Sequence, residues 1–335
     1  MPSGPGSLLV DIAETSDVAA LMTAATDTLR AWVGVGPVFL ATADPVTAAF
    51  AGTHTFDIPD AAAAAFFEIE TAGQDVLRFR DLARAREPVD SLVAATHGSP
   101  EASVRWREVL APLGWGDELR AAVRAHGAVW GYVCLHREQA ERRFTVKEIA
   151  RVNALLPALA EAMRRTALVS VADRAELNSG VVIADERLRV IGATGAAAAW
   201  LDEFGTVQPG GLPLLLGGLV RLVLDSGRPA TATLTTDTGR VGVVEAALLE
   251  SAAERQVAVV ISAAPPGYRM ARLAAATGLT AREQQIVACV LRGLPTRGIA
   301  DELCISPHTV QAHLTSVFAK TGLRSRRELI ARLRT

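Results

Sequence analysis

The chain has 335 residues and a formal net charge of −2; half of its residues are hydrophobic and 21% are charged. That length predicts two or three domains, and that balance excludes a disordered or collagenous chain. Three cysteines (Cys134, Cys289, Cys304) with no C-x-x-C pair exclude a disulfide scaffold.

From the amino terminus, Met1 to Val10 lack the basic-then-apolar order of a signal peptide. Leu21, Leu29 and Trp32 form an apolar helical stripe, followed by strand-like runs at Val38–Ala43 and Ala48–Phe56 and an Ala-rich helical patch at Ala61–Ala65. Asp117–Arg124 and Val129–His136 are extended runs joined by Ala125-His126-Gly127, which predicts a hairpin. Alternation in the second run places Val129, Gly131, Val133 and Leu135 on one face, and Trp130, Tyr132, Cys134 and His136 on the other. With Trp115, the second set is a candidate ligand pocket; its alternative is ordinary core. Cys134 has no partner at metal-ligand spacing, so no metal site is expected.

Thr145 and Glu148 spell a capping box opening a long helix. Its apolar residues Ile149, Val152, Leu156, Leu159 and Met163 fit either packing on its own sheet or a seam between two subunits, with a kink at Pro157. Gly180–Ala184, a turn at Asp185-Glu186 and Leu188–Ile191 predict a second hairpin, followed by helices around Trp200 and over Leu214–Asp225. Strands are expected at Thr231–Thr235, Val241–Leu248 and Gln256–Ile261, then a break at Ala263–Gly267. The longest apolar run, Leu212–Val220, is half a membrane span, so a cytoplasmic protein with no membrane partner is expected.

From Met270 onward ten basic residues face four acidic ones, a net +6 that leaves −8 for the rest. A basic module on an acidic body is the electrostatic layout of a DNA-binding unit with a sensing partner. Thr280–Glu283 is a capping box opening a helix that stops at Arg292-Gly293. Thr296 is expected to cap a second helix through Leu303. Ser306 caps a third that has Pro307 at its first position and ends at Gly322, and Ser325–Glu328 opens a fourth. The turn Cys304-Ile305 has helix-turn-helix length. Val310, Leu314, Val317 and Phe318 point inward, as do Cys289 and Cys304. Gln311, Ala312 and Thr315 point outward, where Gln can bond adenine twice and the Ala and Thr methyls can meet thymine.

The run Leu279-Thr280-Ala281-Arg282-Glu283, then Gly293-Leu294, Ile299-Ala300-Asp301-Glu302-Leu303, Thr309–Leu314, Val317–Lys320 and Ser325-Arg326, resembles the LuxR/FixJ-type helix-turn-helix. It departs from that pattern at Gly298, Thr315 and Thr321. The resemblance implies base reading by Gln311, Ala312 and Thr315. It implies phosphate contacts by Thr296, Arg297, Ser306, Thr309, Lys320 and Arg324, and dimer contact through the fourth helix. Residues Trp106–Trp115, Asp117–Arg120, Trp130-Gly131 and Phe144-Thr145 resemble GAF-like sensor domains fused to this helix-turn-helix in actinobacterial regulators. Gly180–Asp185 and Ala196–Leu201 are similar to a PAS domain.

The expected fold is therefore α+β: a GAF-like α/β sandwich (15–170), a PAS-like antiparallel-sheet domain (172–265) and an all-α four-helix DNA-binding domain (270–335). No G-x-x-x-x-G-K-[ST], H-E-x-x-H or G-x-S-x-G occurs, which argues against an enzyme. The expected partners are double-stranded DNA, a second copy of the chain, a small-molecule effector and RNA polymerase, with no cofactor. The alternative is that the sensor segments form a ligand-free dimerisation or protein-interaction platform.

Overall fold

The computed structural model describes residues 18–72, 75–169, 177–204, 211–236, 240–249 and 255–334; Met1–Val10 and the expected boundaries at 15, 170 and 172 lie outside the described residues. Two antiparallel α/β sandwiches precede an all-helical region. The first contains α1 (Val18–Val33), β1 (Val38–Ala43), β2 (Phe50–Phe56), α2 (Asp60–Ala72), β3 (Val89–Ser91), β4 (Trp115–Ala125), β5 (Ala128–Glu138) and α3 (Val146–Val169). Its sheet runs β2-β1-β5-β4-β3. The second contains β6 (Gly180–Asp185), β7 (Val190–Ala193), α4 (Gly195–Glu203), α5 (Leu214–Ser226), β8 (Ala230–Thr235), β9 (Val241–Leu248) and β10 (Gln256–Ala263), in the order β7-β6-β10-β9-β8. The two sheets thus share one topology.

In the first sheet, α1 and α3 cover one face. The apolar stripe of α1 (Leu21, Met22, Ala25, Leu29) meets Leu40, Leu119, Val133 and Leu135 of the sheet. The opposite face carries Tyr132 and Cys134 under Phe79 and Leu82, with Trp115 packed near Ala62 and Leu110. The β4–β5 turn holds His126 and Gly127 at φ 52° and 77°, the left-handed pair of a tight hairpin turn. The register pairs Val123 with Gly131 but Arg124 with Val129, so Trp130 is an extra residue in the ladder. That bulge reverses the alternation, as one unpaired residue must. Trp130 therefore enters the core under α1 and α3, with Nε1–H donating to Ala125 O at 3.1 Å, and Val129 joins the opposite face. The expectation that Trp130 walls a pocket is thus corrected. Gly131 is required because a Cβ there would sit on the Ala41 carbonyl oxygen of β1, with Met163 Sδ of α3 at 2.6 Å.

The capping box at the start of α3 is formed: Glu148 N–H donates to Thr145 Oγ1, and Glu148 Oε2 accepts from Thr145 N–H at 2.9 Å. The helix continues through Pro157, whose side chain faces solvent, so the carbonyl left without its N–H partner can be hydrated. Val152, Leu156, Leu159 and Met163 are buried against the chain's own sheet and α1, with Ile149 at the edge. The seam lies within the subunit.

In the second sandwich, α5 and Trp200 of α4 pack on Val182, Val244, Ala246 and Val259. Gly227, at φ 67°, ends α5. The other face of this sheet leaves Val181 and Val260 exposed. Among the described residues no helix is long and apolar enough to cross a membrane.

The helical region holds five helices instead of four. The expected break at Ala263–Gly267 opens α6 (Pro266–Thr277), because Pro266 occupies the first turn, where a missing N–H costs nothing. Then follow α7 (Ala281–Leu291), α8 (Thr296–Glu302), α9 (Pro307–Thr321) and α10 (Arg326–Arg334).

Because Leu159 is fully buried, Leu159→Asp places an unpaired carboxylate in the first core, at a cost of several kcal/mol. The expected result is loss of the cooperative thermal transition by circular dichroism. A folded variant that merely loses self-association would restore the intersubunit seam.

Candidate nucleic-acid interface

Ile286, Val287, Val290, Ile299, Val310, Leu314, Val317 and Leu329 form the buried centre of the helical region. Around it the helix ends are closed by the residues the sequence supplies. Thr280 and Glu283 make a complete capping box on α7. Ser306 Oγ accepts from Thr309 N–H at 3.0 Å and lies 2.8 Å from Thr309 Oγ1, and Gly322 at φ 72° ends α9. Two expected caps take other forms. Pro295 stands at the N-cap of α8, making Thr296 the first helical residue. Thr296 Oγ1 instead accepts from Arg326 Nη2 at 2.9 Å, tying α8 to α10. At α10, Glu328 N–H donates to Ser325 Oγ, but the Glu328 carboxylate accepts from Arg324 N–H. Cys289 is buried, whereas Cys304 sits exposed in the turn at φ 52°, a correction to its expected inward position.

The turn between α8 and α9 is held from outside. Arg282 Nη2 donates to Leu303 O at 2.6 Å, and Ile305 N–H donates to Ala300 O at 3.0 Å. The principal anchor is Glu283, nine-tenths or more buried. One carboxylate oxygen accepts from Ser316 Oγ at 2.6 Å; the other accepts from Lys320 Nζ at 2.7 Å and from Thr280 N–H at 2.7 Å. Burial alone would raise its pKa, but Lys320, Ser316 and Thr280 outweigh burial and bring it down to about 2. A capping residue of α7 thereby fixes the azimuth of α9.

With α9 so held, Gln311, Ala312 and Thr315 are all exposed. Thr315 Oγ1–H donates back to Gln311 O at 3.0 Å, which satisfies its hydroxyl and leaves its methyl for apolar contact. Arg297, Ser306 and Arg324 are exposed, and Thr296 and Thr309 are half-buried. Lys320 is partly committed: Nζ also donates to Gly278 O at 3.2 Å, so one of its three protons remains for a phosphate. Sequence reasoning missed the reach of Glu283 to α9 and the two arginine ties. The Thr-x-x-Glu spacing signals the cap alone, and the other partners lie 21 to 37 residues away.

The candidate pocket of the first sheet is nearly filled. Trp115 stacks on His136 at 4.4 Å between centroids, and Tyr132 packs on Phe79 at 4.8 Å, donating its hydroxyl to Ala48 O. Cys134 and His136 line a cavity of only about 30 Å³. A cleft of about 490 Å³ lies between the two sandwiches, bounded by Gly52–Phe56 and Phe67 on one side and Leu212–Leu215 and Arg221 on the other.

Residues 277–333 match the family model described as bacterial regulatory proteins, luxR family, so this region is a LuxR-type helix-turn-helix domain. An HTH-type transcriptional regulator of Mycobacterium tuberculosis is 50% identical over 52 residues, covering 16% of this chain and 6% of that protein. The transcriptional activator protein ExaE of Pseudomonas putida is 34% identical over 117 residues, covering 34% of this chain and 54% of that one. The chain thus spans about a twentieth and about half of these relatives, which are named as transcriptional regulators and not as enzymes. The crystal structure of Escherichia coli SdiA aligns with 98% of this chain and 94% of its own at 11% identity and a TM-score of 0.38.

Because the pKa of Glu283 falls from its ordinary 4.5 to about 2 on folding, its ionisation contributes stability above pH 4.5, and that contribution is lost as pH falls toward 2. Glu283→Gln should lower the stability of the helical region at neutral pH by about 2–3 kcal/mol and should narrow its difference from wild type between pH 4.5 and 2. Thermal unfolding of both proteins across that range checks this. Parallel profiles would remove Glu283 from its anchoring role.

Proposed function

We propose that the chain is a DNA-binding transcription regulator whose two amino-terminal sandwiches sense a small ligand and tune operator binding by the carboxy-terminal helix-turn-helix. The domains proposed are a GAF-like unit at 15–170, a PAS-like unit at 172–265 and the DNA-binding unit at 270–335. The observation that carries this reading is α9: anchored inward through Ser316 and Lys320, it presents Gln311, Ala312 and the Thr315 methyl outward. A helix of this exposed polarity fits a major groove about 12 Å wide. Gln311 reads adenine, Ala312 and Thr315 touch thymine methyls, and Arg297, Arg324, Ser306, Thr296, Thr309 and the third Lys320 proton hold phosphates. The partners are a two-half-site duplex, a second copy of the chain and RNA polymerase.

Tuning runs through α6. Ala276 belongs to the first core, while Leu273 and Ala274 belong to the helical core. Arg164 of α3 donates to Ala276 O, and Arg272 donates to Thr235 Oγ1 of the second sheet at 3.2 Å. One helix is therefore shared by all three parts, and a ligand that shifts the sandwiches changes what α6 can pack against. The cleft between the sandwiches has the volume of a small-molecule site; the 30 Å³ cavity has room for about one water. The alternative of a ligand-free platform joined through Ile149–Met163 is less supported, because Val152, Leu156, Leu159 and Met163 lie in the core and Ile149 alone is at its edge.

Reading and anchoring separate by mutation. Gln311→Ala should cost about 1–3 kcal/mol on the selected operator and relax preference at one base pair per half-site. Arg297→Ala should weaken all duplexes about equally and reduce the salt slope by roughly one. Binding-site selection on both full-length variants decides: an unchanged motif with Gln311→Ala and an altered one with Arg297→Ala would overturn the assignment.

A further inference from the structure

The β4–β5 hairpin that bulges at Trp130 is in regular register further along. Glu118 stands directly across from His136, and Cys134 lies two residues before His136 on the same face. Three donor atoms converge: Cys134 Sγ is 3.0 Å from Glu118 Oε1 and 3.4 Å from His136 Nε2, and Nε2 is 3.5 Å from Oε1. All three side chains are fully or almost fully buried. We propose that Glu118, Cys134 and His136 bind one zinc ion. This goes beyond the DNA-binding reading and does not depend on it.

The spacing fits. Zinc bonds of about 2.3 Å to sulfur and 2.0–2.2 Å to nitrogen and oxygen, at tetrahedral angles, separate the ligand atoms by roughly 3.3–3.6 Å. The donor set of thiolate, imidazole and carboxylate is one that zinc accepts, and three protein ligands leave a fourth position. Cys134 and His136 both border the 30 Å³ cavity, which has room for the single water that completes the set.

The surroundings are those of a supported metal site. His136 Nδ1 lies 3.4 Å from Pro37 O; with its proton directed there, Nε2 turns a lone pair toward the cluster. Arg105 holds the other oxygen of Glu118 through Nε at 2.8 Å and Nη2 at 2.7 Å, fixing the carboxylate plane. Arg120 Nε approaches Oε1 to 3.2 Å without forming a hydrogen bond, and the Cys134 S–H that donates to this oxygen is lost when the thiol ionises.

Charge points the same way. Two buried guanidiniums, Arg105 and Arg120, face three carboxylates: Asp75, Glu70 and Glu118. That leaves one excess negative charge, and the Cys134 thiolate would make it two, which a divalent ion neutralises. Without a cation the Cys134 thiol keeps its proton, which it donates to Glu118 Oε1 at 3.0 Å. As the metal–sulfur bond forms, that proton leaves to solvent.

The test uses the untagged full-length chain, stripped with a chelator and titrated with Co²⁺ as a spectroscopic probe. The expected result is thiolate-to-cobalt charge-transfer absorption saturating at one equivalent, abolished by one equivalent of Zn²⁺, with one zinc per chain by elemental analysis. Cys134→Ala should lose the band entirely while keeping its circular dichroism, and His136→Gln should bind at least tenfold more weakly. Cys289→Ala and Cys304→Ser should keep the band. If a Cys134 or His136 variant does not fold, wild-type protein answers alone: Zn²⁺ should slow alkylation of Cys134, mapped by peptide mass, by at least tenfold. Absence of the band and unchanged alkylation in the wild type would overturn the proposal, as would a band surviving Cys134→Ala.

Discussion

The carboxylate of Glu283 carries the arrangement on which the DNA-facing surface depends. It closes the first turn of α7 and grips α9 at two positions one turn apart, Ser316 and Lys320. The apolar centre beneath is non-directional and would tolerate small rotations of α9. A buried carboxylate with four committed donors, the Thr280 hydroxyl being the fourth, would not, because any rotation strands charge in a place that water reaches poorly. Since Gln311, Ala312 and Thr315 are outward only for one azimuth of the helix, the surface is set from behind by a buried group.

A second constraint operates at α6. Its last turns serve two cores, and its Arg272 reaches the second sheet, so its position satisfies three packing problems at once. Packed interfaces of this kind respond to perturbation by switching between discrete arrangements more than by graded deformation. The proposed tuning would thereby have a mechanical basis without a dedicated hinge. The buried charges in the first sheet belong to a different economy. Arg105, Arg120 and their carboxylates lie on the face away from α6, where they fix the hairpin and its Cys134–His136 pair.

Much of this was legible in the sequence because local rules act on neighbouring residues. The helix stop at Gly322, caps at Thr145, Thr280 and Ser306, and every strand except the three-residue β3 follow from spacing within a few positions. The misses share one physical cause, which is that something beyond the local window decided them. A single extra residue at Trp130 reversed a side-chain alternation that read as continuous. Pro265-Pro266-Gly267 read as a break, yet a proline in the first turn is compatible with a helix start. Cys304 lies outward because the turn takes a left-handed conformation there. The grouping of Glu118 with Cys134 and His136 depends on cross-strand register, which spacing along one strand cannot reveal.

The central claim, that α9 lies in a major groove with its Gln311–Thr315 face on base edges, is tested most directly by photocrosslinking. Full-length protein is bound to its selected duplex with each thymine replaced in turn by 5-iodouracil, whose iodine takes the place of the thymine methyl in the major groove. The account predicts crosslinks at one or two thymines per half-site, mapping to peptides that contain Gln311, Ala312 or Thr315. Crosslinks confined to peptides outside α9 would contradict it.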